Sequence, residues 1–236
     1  MTTINEALAA KVEAVKQVLA GIAADYDTAT LAASYGAEDM VLMDLICKFA
    51  PEIEIFTLDT GRLPKETYDV MQEAKAHYNR DVKVYFPDAA DVEAYVTQQG
   101  PNAFYDSVEL RKQCCGIRKV APLKRALAGQ KAWLTGMRRS QAVTRSELPV
   151  SEYDEGFGLQ KFSPLTDWSN GDVWAYIKAF DVPYNKLHDQ GVASIGCAPC
   201  TRAITAGEDI RAGRWWWENP ESKECGLHVK ASTLDK

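Results

Sequence analysis

The feature that most constrains this chain is an alternation. Through its first two-thirds, short β-rich runs take turns with longer runs of helical spacing. "ATLAASY" (29–35), "EIEIFTL" (52–58), "DVKVYF" (81–86), "QKAWLTG" (130–136) and "LQKFSPL" (159–165) read as strands. "EDMVLMDLICKF" (38–49), "LPKETYDVMQEAKAHY" (63–78) and "SNGDVWAYIKAF" (169–180) read as helices. Ser169 or Asn170 is placed to cap the last of these. Strands separated by helices demand crossover connections, and so predict an α/β fold with a mostly parallel, twisted sheet flanked by helices. Ligands of such sheets bind beyond the carboxyl ends of the strands. After about residue 180 the strand character fades and turn signals multiply. The 236 residues are therefore expected to form a single domain, with a core at about 25–180 and an irregular, partly helical extension at about 181–236.

The first twenty residues have the pattern of an amphipathic helix beginning near Asn5, without the basic and apolar regions of a signal peptide. No run of about eighteen apolar residues occurs, so no membrane span is expected and the cytoplasm is the predicted location.

Charge is unevenly spread. The net charge is -6, yet ten of the 27 Lys and Arg residues and none of the 33 acids fall between Arg111 and Ser146. A basic island on an acidic protein predicts a local anion site, not general affinity for nucleic acid.

Inside that island stand two adjacent cysteines, Cys114 and Cys115. Cys197 and Cys200 form a C-x-x-C pair further on. A C-x-x-C alone suits zinc, iron–sulfur or redox chemistry. Adjacent side chains diverge, so both sulfurs of a vicinal pair reach one small ion only with strain. A cubane offers separate irons to separate thiolates, which favours one 4Fe–4S cluster on Cys114, Cys115, Cys197 and Cys200, with zinc as the second choice. Nearby cations would balance its negative charge, and Lys119 lies about one helical turn beyond Cys115. Cys47 sits in an apolar helix and is expected to be a small buried hydrophobe. Cys225, in "KECGLH", reads either as a nucleophile or as a surface thiol.

Three polar, glycine-bearing loops follow predicted strands: "SYGAED" (34–39), "LDTG" (58–61) and "TGMRRSQAVTR" (135–145). Together they predict one anion-binding pocket built on Ser34, Gly36, Asp39, Leu58, Asp59 and Gly136. Arg138, Arg139 and Arg145 offer fork-shaped donors to phosphate or sulfate. Arg211 and Arg214 lie three apart on a predicted helical turn, and Trp215–Trp217 are expected to pack rather than to stack on a base.

The motifs "CCGIRKVAPL", "SIGCAPCTRA", "GEDIRAGRWWWE" and "KECGLH", in this order, resemble the iron–sulfur branch of the sulfonucleotide reductases, the assimilatory adenosine 5′-phosphosulfate (APS) reductases. "SYGAEDMVL", "LDTGRLPKETY", "TGMRRSQ" and "SPLTDWSNGDVWAYI" are similar to the wider group, which includes the phosphoadenosine phosphosulfate (PAPS) reductases. The resemblance implies an adenine nucleotide α-hydrolase-like fold and a 4Fe–4S cluster on the four cysteines. It implies a nucleophilic Cys225 on a C-terminal segment, with thioredoxin, or glutaredoxin in some members, as reductant. On this reading Lys119, Arg211 and Arg214 stabilise the moving oxygens. Arg145 helps to hold the phosphosulfate and ribose, Leu58 meets adenine, and His228 aids tail closure or ionisation of Cys225. Assembly into a homo-oligomer is compatible with it. The four cysteines favour APS over PAPS. A tRNA-thiolation enzyme would need a C-x-x-C near the middle of the sequence and an S-G-G-x-D-S loop, and neither is present. A non-catalytic zinc module is the remaining alternative.

Overall fold

The computed structural model describes residues 4–141 and 147–219. Its centre is a six-stranded sheet in the order β3-β2-β1-β4-β6-β5. The strands are β1 (Ala29–Ala32), β2 (Glu54–Leu58), β3 (Lys83–Tyr85), β4 (Ala132–Leu134), β5 (Ser151–Asp154) and β6 (Leu159–Phe162). All neighbours run parallel except β5, which pairs antiparallel with β6. The chain steps outward from β1 to β2 and β3, then crosses to β4 on the other side. This reversal between β1 and β4 opens a crevice at the carboxyl ends of the strands.

Alternating side chains divide the core. Leu31, Ile55, Ala132 and Leu134 face a large cluster formed with α1 (Glu6–Asp25), α2 (Ala37–Phe49) and α7 (Asn170–Phe180). Phe56, Trp133 and Leu159 face the other way, onto Leu123, Ala126 and Leu127 of α6 (Ala121–Leu127). Helix α2 is buried from Met40 to Ile46, which explains its nearly unbroken apolar run. Helix α1 begins after Asn5, near where expected, and Ser169, one of the two candidates, caps α7. Asn5 accepts from Leu8 N at 2.8 Å, and Ser169 closes a capping box with Asp172.

Several elements differ from the expectations. Strand β1 ends at Ala32, because the next residues turn and Tyr35 adopts φ 60. The last predicted strand stops at Phe162, two residues short of Pro164, and gains an unforeseen antiparallel partner in β5. Helices α4 (Ala89–Gln99), α5 (Val108–Cys115) and α6 add to the expected elements. Between α5 and α6 lies a π turn, Gly116–Val120. Such wide turns concentrate at functional sites. Arg211 and Arg214 sit on a turn rather than a helix, with Arg214 N donating to Arg211 O at 2.9 Å. With α3 (Lys65–Tyr78), seven α-helices surround the sheet among the described residues.

Candidate active site

Beyond the carboxyl ends of β1, β2 and β4 lies a cavity of about 260 Å³. Ala32, Phe56, Leu58, Leu123 and Trp133 give it an apolar wall. Ser34, Gly36, Lys119, Arg211 and Arg214 give it a polar one. An apolar slot beside convergent polar groups suits a nucleotide-sized ligand with an anionic end.

The polar wall is assembled around Asp39, in the first turn of α2. Its carboxylate accepts from Ser34 N at 2.6 Å and Ser34 Oγ at 2.5 Å, and from the Gly136 amide. A Cβ at Gly136 would lie 2.3 Å from Asp39 Oδ1, so only glycine lets the two loops meet. Burial pushes the Asp39 carboxyl up to about 6, against the opposing Ser34 hydrogen bonds. A raised carboxyl pKa means that the folded state holds the proton more tightly. The stability this group contributes is complete below about pH 4, its unfolded value, and is lost as pH rises through about 6. Replacing Asp39 with Asn is expected to remove a slope worth on the order of 2–3 kcal/mol across that window. Thermal melts of both proteins from pH 4 to 7 measure it, and parallel profiles would refute it.

Two arginines expected to bind phosphate, and one acid expected at the pocket, have other partners. Arg138 is buried and lies outside the cavity lining. Its guanidinium donates to Glu38 Oε1 at 3.0 and 2.6 Å, to Ser140 Oγ at 2.6 Å and to the Trp168 carbonyl at 3.2 Å. Arg138 therefore holds Glu38 and its own loop. Arg139 donates to Leu148 O at 2.9 Å and pairs with Asp167. Asp59 accepts from Gly61 N at 2.8 Å and Tyr68 OH at 2.9 Å, folding the L-D-T-G turn, while its neighbour Leu58 lines the cavity. Arg145, Cys225 and His228 lie outside the described residues.

The four predicted cysteine ligands come together from distant segments. Cys114 and Cys115 end α5, while Cys197 precedes and Cys200 ends a single 3-10 turn. All four line one small second cavity, with Arg62, Arg111, Arg118 and Lys119 around them. Thr60 Oγ1 lies 3.3 Å from Cys197 Sγ, and Arg118 Nη1 donates to Thr60 O at 2.7 Å. Burial pushes the Cys200 thiol up to about 12, helped by Cys197, and raises Cys114 as well. Burial also acts to raise Cys197. Lys119, Thr60, Arg214 and Arg118 outweigh it and hold that thiol below its usual range.

This donor set can be tested against the expected group. Among the described residues no three His, Cys, Asp or Glu converge on a point that could hold one metal ion. Four thiols lining one small cavity are a donor set that suits a thiolate-bound multi-iron cluster. The surrounding cations suit the net negative charge of such a cluster. Cys47, by contrast, packs against the large core cluster but is only partly buried, with Arg80 Nη1 3.9 Å from its sulfur, so the expected small buried hydrophobe is only partly realised.

Thr60, Arg62, Arg118 and Gly196 carry no individual role in the sequence expectations, whereas Trp215 is buried and packs as expected. Arg118 had a signal in its place beside Lys119 in the cationic stretch. Gly196 admits the Arg214 guanidinium. A Cβ there would fall 2.2 Å from it, and Arg214 Nη1 donates to Ile195 O at 3.0 Å. Trp215 is held between Arg111 and Arg214, 4.8 and 4.7 Å from its ring centroid. Trp217 packs on Phe104 and Tyr105.

Arg111 anchors this region. It is fully buried and grips Glu218 through Nε–Oε1 at 2.8 Å and Nη2–Oε2 at 2.7 Å. Arg111→Leu would leave the 4% exposed Glu218 carboxylate without this partner and is expected to cost about 3–5 kcal/mol. The double variant Arg111→Leu/Glu218→Leu should regain most of it. Denaturant unfolding of the two variants checks this, and equal loss in both would contradict it.

Residues 28–203 match the phosphoadenosine phosphosulfate reductase domain. The chain belongs to this family. Among curated members of the phosphosulfate reductase family, an adenosine 5′-phosphosulfate reductase of Allochromatium vinosum is 55% identical over 212 residues, covering 90% of this chain and 83% of that protein. Among solved structures, phosphoadenylyl-sulfate reductase from Candida auris, determined as a phosphate complex, superposes with a TM-score of 0.70 at 28% identity. The match covers 86% of this chain and 99% of the other. Candida glabrata FMN adenylyltransferase, at 13% identity and a TM-score of 0.57 over 95% of this chain and 80% of its own, shares the fold. This chain's sheet, with its crevice between β1 and β4, thus has the fold of the phosphoadenylyl-sulfate reductase and shares it with the adenylyltransferase. No described helix is long and apolar enough to cross a membrane.

Proposed function

We propose that this chain reduces adenosine 5′-phosphosulfate to sulfite and AMP, with thioredoxin as electron donor, in assimilatory sulfate reduction. One observation carries the reading: Lys119, Cys197 and Trp215 line both the nucleotide-sized cavity and the cysteine cavity. A phosphosulfate at the polar wall would therefore lie against the same lysine that faces the thiols.

The apolar wall, including Leu58, takes the adenine. The loop around Gly36, held in place by the Ser34 and Gly136 amides that donate to Asp39, takes the phosphosulfate with Arg145. The Cys225 thiolate attacks the sulfate sulfur, forming an S–S bond as the S–O bond to AMP breaks and AMP leaves with that electron pair. Lys119, Arg211 and Arg214 offset the repulsion between two anions and stabilise charge on the moving oxygens. His228 assists tail closure or ionisation of Cys225. A thioredoxin thiolate then attacks Cys225 Sγ, and sulfite departs with the bonding pair. The second thioredoxin thiol resolves the mixed disulfide, so one dithiol has supplied two electrons. A 4Fe–4S cluster on Cys114, Cys115, Cys197 and Cys200 would supply fixed charge and a rigid anchor that holds Lys119 towards the substrate.

Anaerobic purification followed by iron and acid-labile sulfide analysis tests the cofactor, and a colourless zinc protein would sink it. Sulfite release with thioredoxin from the two nucleotides in competition tests the substrate. We expect kcat/KM for APS to exceed that for PAPS on the order of 10²-fold or more, because a site fitted to one nucleotide leaves the added phosphate unpaired. Equal values would sink the preference.

A further inference from the structure

Beside the cysteine cavity two large rings stay open to solvent. Trp216 is 39% exposed and Tyr105 is 41% exposed, and their centroids are 6.4 Å apart, edge to face. Trp217 supports both, at 4.8 Å from Trp216 and 4.4 Å from Tyr105. Tyr105 OH donates to Pro199 O at 2.8 Å, which ties the pair to the C-x-x-C turn. Adjacent exposed aromatic rings on a rigid base have the composition of a protein contact surface.

The length of the intervening segment says what comes to this surface. Cys225 follows Asn219 by six residues, which span at most about 20 Å when fully extended. Any protein thiol that attacks Cys225 Sγ must work within that radius, and Trp216 lies three residues before Asn219. The remaining stretch, "PESKECGLHVKASTLDK", has no aromatic residue and six charged ones, a poor cover for paired rings.

We infer that Tyr105 and Trp216 form the docking platform for the protein dithiol that regenerates Cys225. This rests on the reductase reading above. The platform serves the second half-reaction, in which the dithiol's sulfur bonds to Cys225 Sγ, sulfite leaves with the electron pair, and the dithiol closes to a disulfide.

The test uses full-length Trp216→Ala and Trp216→Phe with two reductants, thioredoxin and dithiothreitol. For Trp216→Ala, kcat/KM for thioredoxin should fall about tenfold or more, as when an interface anchor is truncated. The KM for APS, turnover on dithiothreitol and single-turnover formation of the S-sulfo adduct should hold. Trp216→Phe should restore most of the loss. Equal losses on both reductants would overturn the inference and point to the protein's own residues 220–236 as occupant. A change of oligomeric state on sizing with unchanged reductant kinetics would overturn it in favour of a second copy. No change at all would also overturn it. Wild-type protein that makes no sulfite with either reductant would sink the reductase reading itself.

Discussion

Cys225→Ser is expected to abolish turnover while leaving the proposed cluster site and nucleotide binding intact. Cys225 is separate in sequence from the four cysteines that share the second cavity, so its loss removes no ligand from that set. A serine hydroxyl is a far weaker nucleophile than a thiolate, and it cannot form the S–S bond that a reductant later cleaves. Loss of a covalent nucleophile typically costs on the order of 10⁴–10⁶ in kcat. The measurement is a single turnover with labelled APS, with mass analysis of the protein for an added SO₃ group. Wild type should carry the adduct in the absence of reductant. An adduct that still forms on Cys225→Ser would remove this residue from the nucleophile's role.

Lys119→Ala should lower kcat by about 10²–10³, the range seen when one charge-stabilising donor is removed. Lys119 is placed by the π turn so that it lines both cavities. Its charge acts on Cys197 and Cys200 across the second cavity, and it faces the nucleotide-sized space in the first. Any iron held by the proposed cluster site should survive, because all four thiols remain. Affinity for AMP, which lacks the sulfate, should change less than the rate. A Lys119→Ala protein with that iron retained and full activity would break the link between the two cavities.

Much of this site was legible because its residues are rare and locally spaced. The adjacent cysteines, the C-x-x-C and the glycine loops at strand ends needed only the rule that parallel sheets bind beyond their carboxyl ends. The misses share a physical cause. Whether an arginine serves a ligand depends on what else it can reach, and Arg138 finds Glu38 a hundred residues away. Strand β5 carries "SEYD" with Tyr153 62% exposed, so an edge strand without a buried face shows no apolar alternation. Helix α4 buries Tyr95 alone, too little to impose a readable stripe. Thr60 acquires its role from long-range packing that no local pattern encodes.

The wall common to the two cavities has a thermodynamic consequence. If filling the cysteine cavity fixes Lys119 and Trp215 in the positions a nucleotide prefers, it strengthens nucleotide binding by some factor. Reciprocity then requires a bound nucleotide to strengthen retention of whatever the cysteines hold by the same factor. Substrate is then also a protectant. A protein kept supplied with nucleotide resists the loss of its thiol-bound group, and a starved one is the first to be inactivated.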